Sequence, residues 1–156
     1  MSVKKVFKED RIDEISRKLN LHRSLVKEII EGYIGYLAGE ICAGRSVRVL
    51  NICYIRPEGS NDRENQKTLA YIATEVASQV GVGGLTARRV LSYFEERIVS
   101  DLKNGNGTVL RGLIRIWTVE ENGITRLRVL KSTAYANSCM RVTTLNSFRR
   151  RVLGGG

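Results

Sequence analysis

Apolar positions along this chain switch between a helical and an alternating period, and they do so twice in the same order. Ile12, Ile15 and Leu19 fall on one helix face and predict a first helix over about Asp10 to Lys18. Asn20 and Leu21 make a short turn. Leu25, Ile29, Tyr33, Leu37 and Ile41 then predict a second helix over about Arg23 to Ala43. Val26, Ile30 and Ile34 widen its stripe, as in a helix packed on two sides. Gly32, Gly35 and Gly39 lie inside it, each costing about 1 kcal/mol relative to alanine, so close helix–helix approach is expected there. Gly44 closes the helix as a C-terminal cap. Ser46 to Arg56, rich in Val and Ile, predicts a strand pair or one bent strand, broken by Pro57. Residues 58–66, EGSNDRENQ, are polar and aperiodic and read as a linker.

The order then starts again. Leu69, Ile72, Val76 and Val80 predict a third helix over about Lys67 to Gln79, and GVGG at 81–84 a turn. Thr86 is the expected N-cap of a fourth helix carrying Val90, Leu91, Phe94, Ile98 and Leu102, which NGNG at 104–107 stops. Written against each other at an offset of 61 residues, 1–60 and 61–120 are one pattern. GRSVRVLNICYI at 44–55 falls on GNGTVLRGLIRI at 105–116, Tyr33 falls on Phe94, and Gly44 on Gly105. Such a duplication points to paired half-modules and a symmetric surface more than to an enzyme cleft.

The strand that ends the repeated pattern runs on into a stretch with no counterpart in the first copy. Leu113, Arg115, Trp117 and Val119 alternate with Ile114, Ile116 and Thr118, as in a strand. Asn122-Gly123 signals a type I′ hairpin, and Ile124 to Leu130 is its return strand, with Arg126 and Arg128 on one face. TAYANS at 133–138 is weakly structured, Cys139 to Thr143 a further short strand, and Asn146 to Leu153 a basic terminal helix before a flexible tail at 154–156. The plan is αα-ββ, a linker, then αα-βββ-α: an α+β chain. It divides into a shorter copy at 1–57, the linker at 58–66 and a fuller copy at 67–153.

Charge adds direction. The formal net charge is +10, yet residues 1–60 hold 11 Lys/Arg against 8 Asp/Glu. From Ile124 onward come Arg126, Arg128, Lys131, Arg141, Arg149, Arg150 and Arg151 with no carboxylate side chain among them. A field of one sign at one end of a protein steers polyanions to it. No apolar run reaches the ~18–20 residues a membrane helix needs, and MSVKKVFKEDR lacks the apolar stretch of a signal peptide, so an intracellular setting is expected. Cys42, Cys53 and Cys139 are widely spaced and read as small buried hydrophobes in a reducing compartment. With one histidine and no C-x-x-C pair, a zinc site is not expected. GVGG and NGNG do not continue into the Lys-Ser/Thr of a phosphate-binding loop. Trp117 reads as core or sheet packing more than as a base-stacking platform. No paired carboxylates or nucleophile–base set can be assembled, so no catalytic residue, cofactor, metal or small-molecule substrate is expected.

Two helices, a glycine cap and a strand of the form G-x-x-V-x-L-x-G-F-G-x-F resemble the bacterial HU/IHF family of DNA-bending proteins. The residues that carry the resemblance are Gly44, Val47, Val49, Asn51, Ile52, Cys53 and Ile55, then Gly105, Thr108, Leu110, Gly112, Leu113, Ile114 and Ile116. The resemblance implies two tandem copies whose helical hairpins pack as an internal pseudo-dimer with small antiparallel sheets. It implies a hairpin arm at the minor groove and a basic terminal helix, FRRRVL at 148–153, near the DNA backbone. Asn51 and Cys53 stand where the family has glycines, and no proline follows Pro57 to act as the wedge that kinks a duplex.

The expected function is therefore a non-enzymatic architectural protein, nucleoid-associated in the cytoplasm, binding double-stranded DNA through backbone contacts with little regard to sequence. Its contacts are expected at Arg111, Arg115, Arg126, Arg128, Lys131, Arg141, Arg149, Arg150 and Arg151. The alternative is the same fold reused as a structural subunit of a phage particle, self-associating or bound to other particle proteins. Neither reading involves a membrane.

Overall fold

The computed structural model describes residues 4–5, 8–59, 67–135 and 139–154. After a two-residue strand β1 (Lys4–Lys5), which no sequence pattern announces, come α1 (Lys8–Leu19) and α2 (Arg23–Cys42). Strands β2 (Val47–Val49) and β3 (Cys53–Pro57) follow, then α3 (Leu69–Val80) and α4 (Gly84–Lys103). The chain continues through β4 (Asn106–Leu110), β5 (Ile114–Glu121), β6 (Ile124–Lys131), β7 (Met140–Thr144) and α5 (Asn146–Leu153). This is an α+β architecture.

The bounds of α3 and α4 are those of α1 and α2 advanced by 61 residues. The repeat extends to single backbone hydrogen bonds. Leu21 N to Ser16 O is matched by Val82 N to Ala77 O, and Ile52 N to Val49 O by Leu113 N to Leu110 O. Asn20 (φ 54°) and Gly81 (φ 88°) both turn their hairpins through the left-handed region, where asparagine is tolerated and glycine is free. Thr68 caps α3, its hydroxyl accepting from Tyr71 N at 3.1 Å. The expected cap at Thr86 is corrected: α4 starts at Gly84 with Gly83 as its cap residue, and Thr86 lies within the first turn. Repetition of the hairpin geometry overrides the local preference of threonine.

Each short helix touches both long ones: α1 packs on α2 and α4, and α3 on α4 and α2. Ile12, Ile15, Ile29, Ile30, Tyr33 and Leu37 share one core with Val76, Val90, Leu91, Phe94 and Ile98. Burying side chains of this size is worth about 1.5–3 kcal/mol each, which makes the four-helix contact the main stabilising element. Of the three helical glycines only Gly32 permits close approach. A Cβ there would meet Val76 Cγ1 at 3.1 Å, whereas Gly35 and Gly39 face open space.

The sheets repeat in register too. Val47↔Ile55 and Val49↔Cys53 in the β2–β3 pair become Thr108↔Ile116 and Leu110↔Ile114 in β4–β5. Asn122 (φ 53°) and Gly123 (φ 78°) form the two-residue turn into β6, with Glu121 opposite Ile124. The four-stranded sheet runs β1-β4-β5-β6, with β1 parallel to β4 and the rest antiparallel.

The last strand of the chain, β7, pairs antiparallel with β3 of the first copy, giving the sheet β2-β3-β7. Because β1 joins the other sheet, the first copy's own pair is β2 and β3 alone, so β3 offers an open edge, and unpaired strand edges capture strands. Pro57 does not break β3 but ends it, opposite Met140. Glu58 N donates to Cys139 O at 2.7 Å, so alternation turns the Pro57 nitrogen away from β7, toward a side where β2 has already ended. Helix α5 packs on α4 and β6 through buried Phe148 and Val152. Of the expected linker only Glu58 and Gly59 are described, of the expected tail only Gly154, and residues 136–138 of TAYANS lie outside the described part. No helix among the described residues is long and apolar enough to cross a membrane.

Candidate nucleic-acid interface

Strand alternation sorts the basic residues. In β2 and β3, Val47, Val49, Cys53 and Ile55 point into the core, so Arg48, Tyr54 and Arg56 stand on the outer face. Cross-strand partners share a face, and β7 adds Arg141 opposite Arg56 and Thr143 opposite Tyr54. In β5, Ile114 and Ile116 point inward, leaving Arg115, Trp117 and Val119 outside. Their β6 partners are Leu130, Arg128 and Arg126. The two outer faces meet where β6 runs beside β7. A groove there is lined by Leu130 and Lys131 on one side and Met140 and Arg141 on the other.

Among the described residues, six arginines stand on these adjoining outer faces: Arg48, Arg56, Arg115, Arg126, Arg128 and Arg141. The described carboxylates there are Glu121 and, just past β3, Glu58. Arg128 approaches Glu121 only loosely, at 3.7 Å with both side chains half exposed, a separation worth little in water. Arg48 is partly spent: its Nε donates to Leu50 O at 3.1 Å and its Nη2 to Asn51 Oδ1 at 2.7 Å.

The surface also carries two arginine–aromatic pairs. Arg56 lies with its guanidinium carbon 4.2 Å from the Tyr54 ring centroid, with Arg48 at 5.6 Å. Arg115 lies 5.2 Å from the ring of Trp117. At the offset of 61, Tyr54 corresponds to Arg115 and Arg56 to Trp117. Each copy therefore places one aromatic and one arginine at the same two outward positions, in opposite order. Both rings are half-buried on the open side of their sheets. Trp117, for which the sequence left core or sheet packing open, lies outside the core on the face turned to solvent.

The nine residues expected to contact DNA divide by environment. Arg115, Arg126, Arg128 and Arg141 come together on the outer surface, and Arg111 is exposed in the turn between β4 and β5. Arg149 and Arg150 are exposed on α5, away from its buried Phe148 and Val152. Two of the nine are tied by hydrogen bonds into the framework. Lys131 is half-buried and its Nζ donates to Met140 O at 2.9 Å, joining the two sheets. Arg151 Nη1 donates to Glu95 Oε2 at 2.5 Å. Glu95 is almost fully buried in α4, and its Oε1 also accepts from Asn51 N at 2.7 Å. This carboxylate ties the first copy's tight turn to α4 and the terminal helix. The turn itself places Leu50 in the left-handed region (φ 48°), held by the Tyr33 hydroxyl, which accepts from Leu50 N at 2.8 Å. In the second copy the corresponding turn uses Gly112 (φ 84°).

Arg48, Tyr54 and Arg56 are not among the nine residues the sequence pointed to. The signal was present: in VRV and CYIRP every second residue is polar or aromatic between apolar ones. The expectation for the cysteines is also corrected. Only Cys53 is buried; Cys42 ends α2 on its open side and Cys139 lies ahead of β7, both exposed, and none of the three is bonded. Compared with known protein families, with curated proteins and with solved structures, the chain matches none.

Proposed function

We propose that this chain is a non-enzymatic architectural protein of HU/IHF-like design. In this reading the two helical hairpins form an internal pseudo-dimer, and the outer sheet surface with the exposed face of α5 binds nucleic acid. What supports it most is the six-arginine surface, drawn from both copies and opposed by two carboxylates among the described residues. Phosphate contacts from such a surface are insensitive to sequence and fall steeply with salt. The cross-packing of each short helix on both long ones supports the pseudo-dimer, because exchanging the two copies reproduces the same set of contacts. The β5–β6 hairpin is a short arm. Its tip is Glu121-Asn122-Gly123-Ile124, with Glu120 beside it and no proline, so the reading does not include sharp kinking of a duplex.

The test is affinity for duplex DNA across a salt series. With six phosphates contacted, log affinity falls against log salt with a slope near about −5. A flat response would sink the proposal.

Exposed apolar residues on the same surface, Ile124 and Leu130, favour a second reading. There the surface meets protein, as in a structural subunit of a phage particle. A native mass measurement separates the two: stable multimers without DNA affinity support the second, a DNA-binding monomer or dimer the first.

A further inference from the structure

We propose that the two arginine–aromatic pairs, Tyr54 with Arg56 and Trp117 with Arg115, are stacking sites for unpaired nucleobases. On this proposal the nucleic acid taken up is single-stranded or carries unpaired bases. The proposal rests on the nucleic-acid reading above and names its substrate class.

In a duplex the faces of the bases are covered by their neighbours, so a ring on a sheet surface finds only backbone and groove edges. An unpaired base exposes its face, and aromatic rings and guanidinium planes both stack on it. The outer surface presents that combination twice, at equivalent positions of the two copies. Guanidinium carbons lie 4.2 Å and 5.2 Å from the ring centroids, within the range where cation and ring attract. Phosphate contacts alone do not account for rings kept on the solvent side of both sheets.

The apolar residues around Trp117 point the same way. Val109, Arg115 and Leu130 form one cross-strand row, with Val109 49 % and Leu130 54 % exposed. Exposed apolar side chains are unfavourable beside a hydrated phosphate backbone and favourable against the face of a base. Arg126, Arg128 and Arg141 flank the rings and supply the phosphate contacts that a single strand still needs.

Trp117 is the only tryptophan of the chain, which makes the test direct. The whole protein is titrated with an oligothymidylate and, separately, with a blunt duplex of equal length, while tryptophan emission and fluorescence anisotropy are followed. The expected result is saturable quenching by the single strand, with duplex binding that leaves the emission nearly unchanged. Trp117→Leu and Tyr54→Leu are then each expected to weaken single-strand binding about fivefold or more, and duplex binding by less than about twofold. Circular dichroism and the unfolding midpoint check that both variants fold, and the wild-type quenching measurement stands even if one does not. Equal affinity for both nucleic acids without quenching overturns the stacking proposal and leaves the nucleic-acid reading standing. Absence of binding to either one at low salt overturns both.

Discussion

Arg11 of α1 and Asp101 of α4 are held 2.9 Å apart, with about 4 % of each side chain exposed. Arg11 Nη1 also donates to Thr108 Oγ1 at 2.5 Å, so one guanidinium joins a helix of the first copy to a helix and a strand of the second. Burial lowers the Arg11 pKa, and the hydrogen bond and charge of Asp101 work against that loss. Arg97, paired with Glu14 at 2.9 Å, reaches Asp101 as well. The equivalent place in the other half is built differently. Ile72 stands for Arg11 and Val47 for Thr108, while Glu40 stands for Asp101 and turns to Arg45.

Removing one partner of a buried pair leaves the other charge without compensation. Asp101→Ala is expected to cost about 3–5 kcal/mol in urea denaturation. The double variant Arg11→Leu with Asp101→Leu is expected to recover most of that, since apolar residues of similar volume replace a buried pair at little net cost. Equal losses in the single and double variants would show that the pair is not the source of the effect.

The helical glycines make opposite predictions. Gly35→Ala and Gly39→Ala meet no neighbour and are expected to raise stability by about 0.5–1 kcal/mol each, through helix propensity and a less flexible unfolded chain. Gly32→Ala must displace the Val76 side chain, so its gain is expected to vanish or reverse. Thermal melts of the three variants, ranked against the wild type, check this. A gain for Gly32→Ala equal to the others would mean that α2 and α3 have room to spare.

The terminal helix separates binding from stability. Arg149→Glu with Arg150→Glu is expected to reduce DNA affinity at least about tenfold and to flatten the salt slope by about 2, with the melting midpoint little changed. Arg151→Ala is expected to cost about 1–2 kcal/mol of stability, because it strips a donor from a carboxylate whose side chain is only 8 % exposed. Affinity and melting curves on the same samples decide. Arg151→Ala behaving like the Arg149–Arg150 variant would place all three on the binding surface.

Three buried ionisable groups set the behaviour at high pH. Burial pushes the Cys53 thiol up to about 12 and raises the Tyr33 and Tyr135 hydroxyls well above their usual values. The folded state therefore holds these groups protonated. Their contribution to stability is full below the unfolded pKa, near about 8.5 for the thiol and about 10 for the phenols, and is lost as pH rises above it. Near pH 8 a thiol reagent is expected to modify Cys42 and Cys139 in the native protein and Cys53 only after unfolding. Above about pH 10, ultraviolet titration is expected to show Tyr33 and Tyr135 ionising together with loss of the circular dichroism signal. Free titration of all six tyrosines with that signal intact would contradict the burial.

The helices and hairpins of this chain were legible in advance because their signals are local. Spacing of Leu25, Ile29, Tyr33, Leu37 and Ile41 defines a buried face within one segment, and Asn122-Gly123 encodes its turn in two residues. The offset of 61 was visible for the same reason: a repeated local pattern repeats the local structure. Of the six-arginine surface, Arg115, Arg126 and Arg128 could be read from alternation within one hairpin. Tertiary structure alone decided that β7 completes the first copy's sheet, because an open edge on β3 is filled by whichever strand the rest of the fold brings to it. It alone decided that Arg151 and Lys131 serve as struts while Arg48 and Arg56 join the surface. A charged side chain is free or paired according to what lies within a few ångströms of its tip, and for Arg11 and Asp101 that neighbour is 90 residues away along the chain.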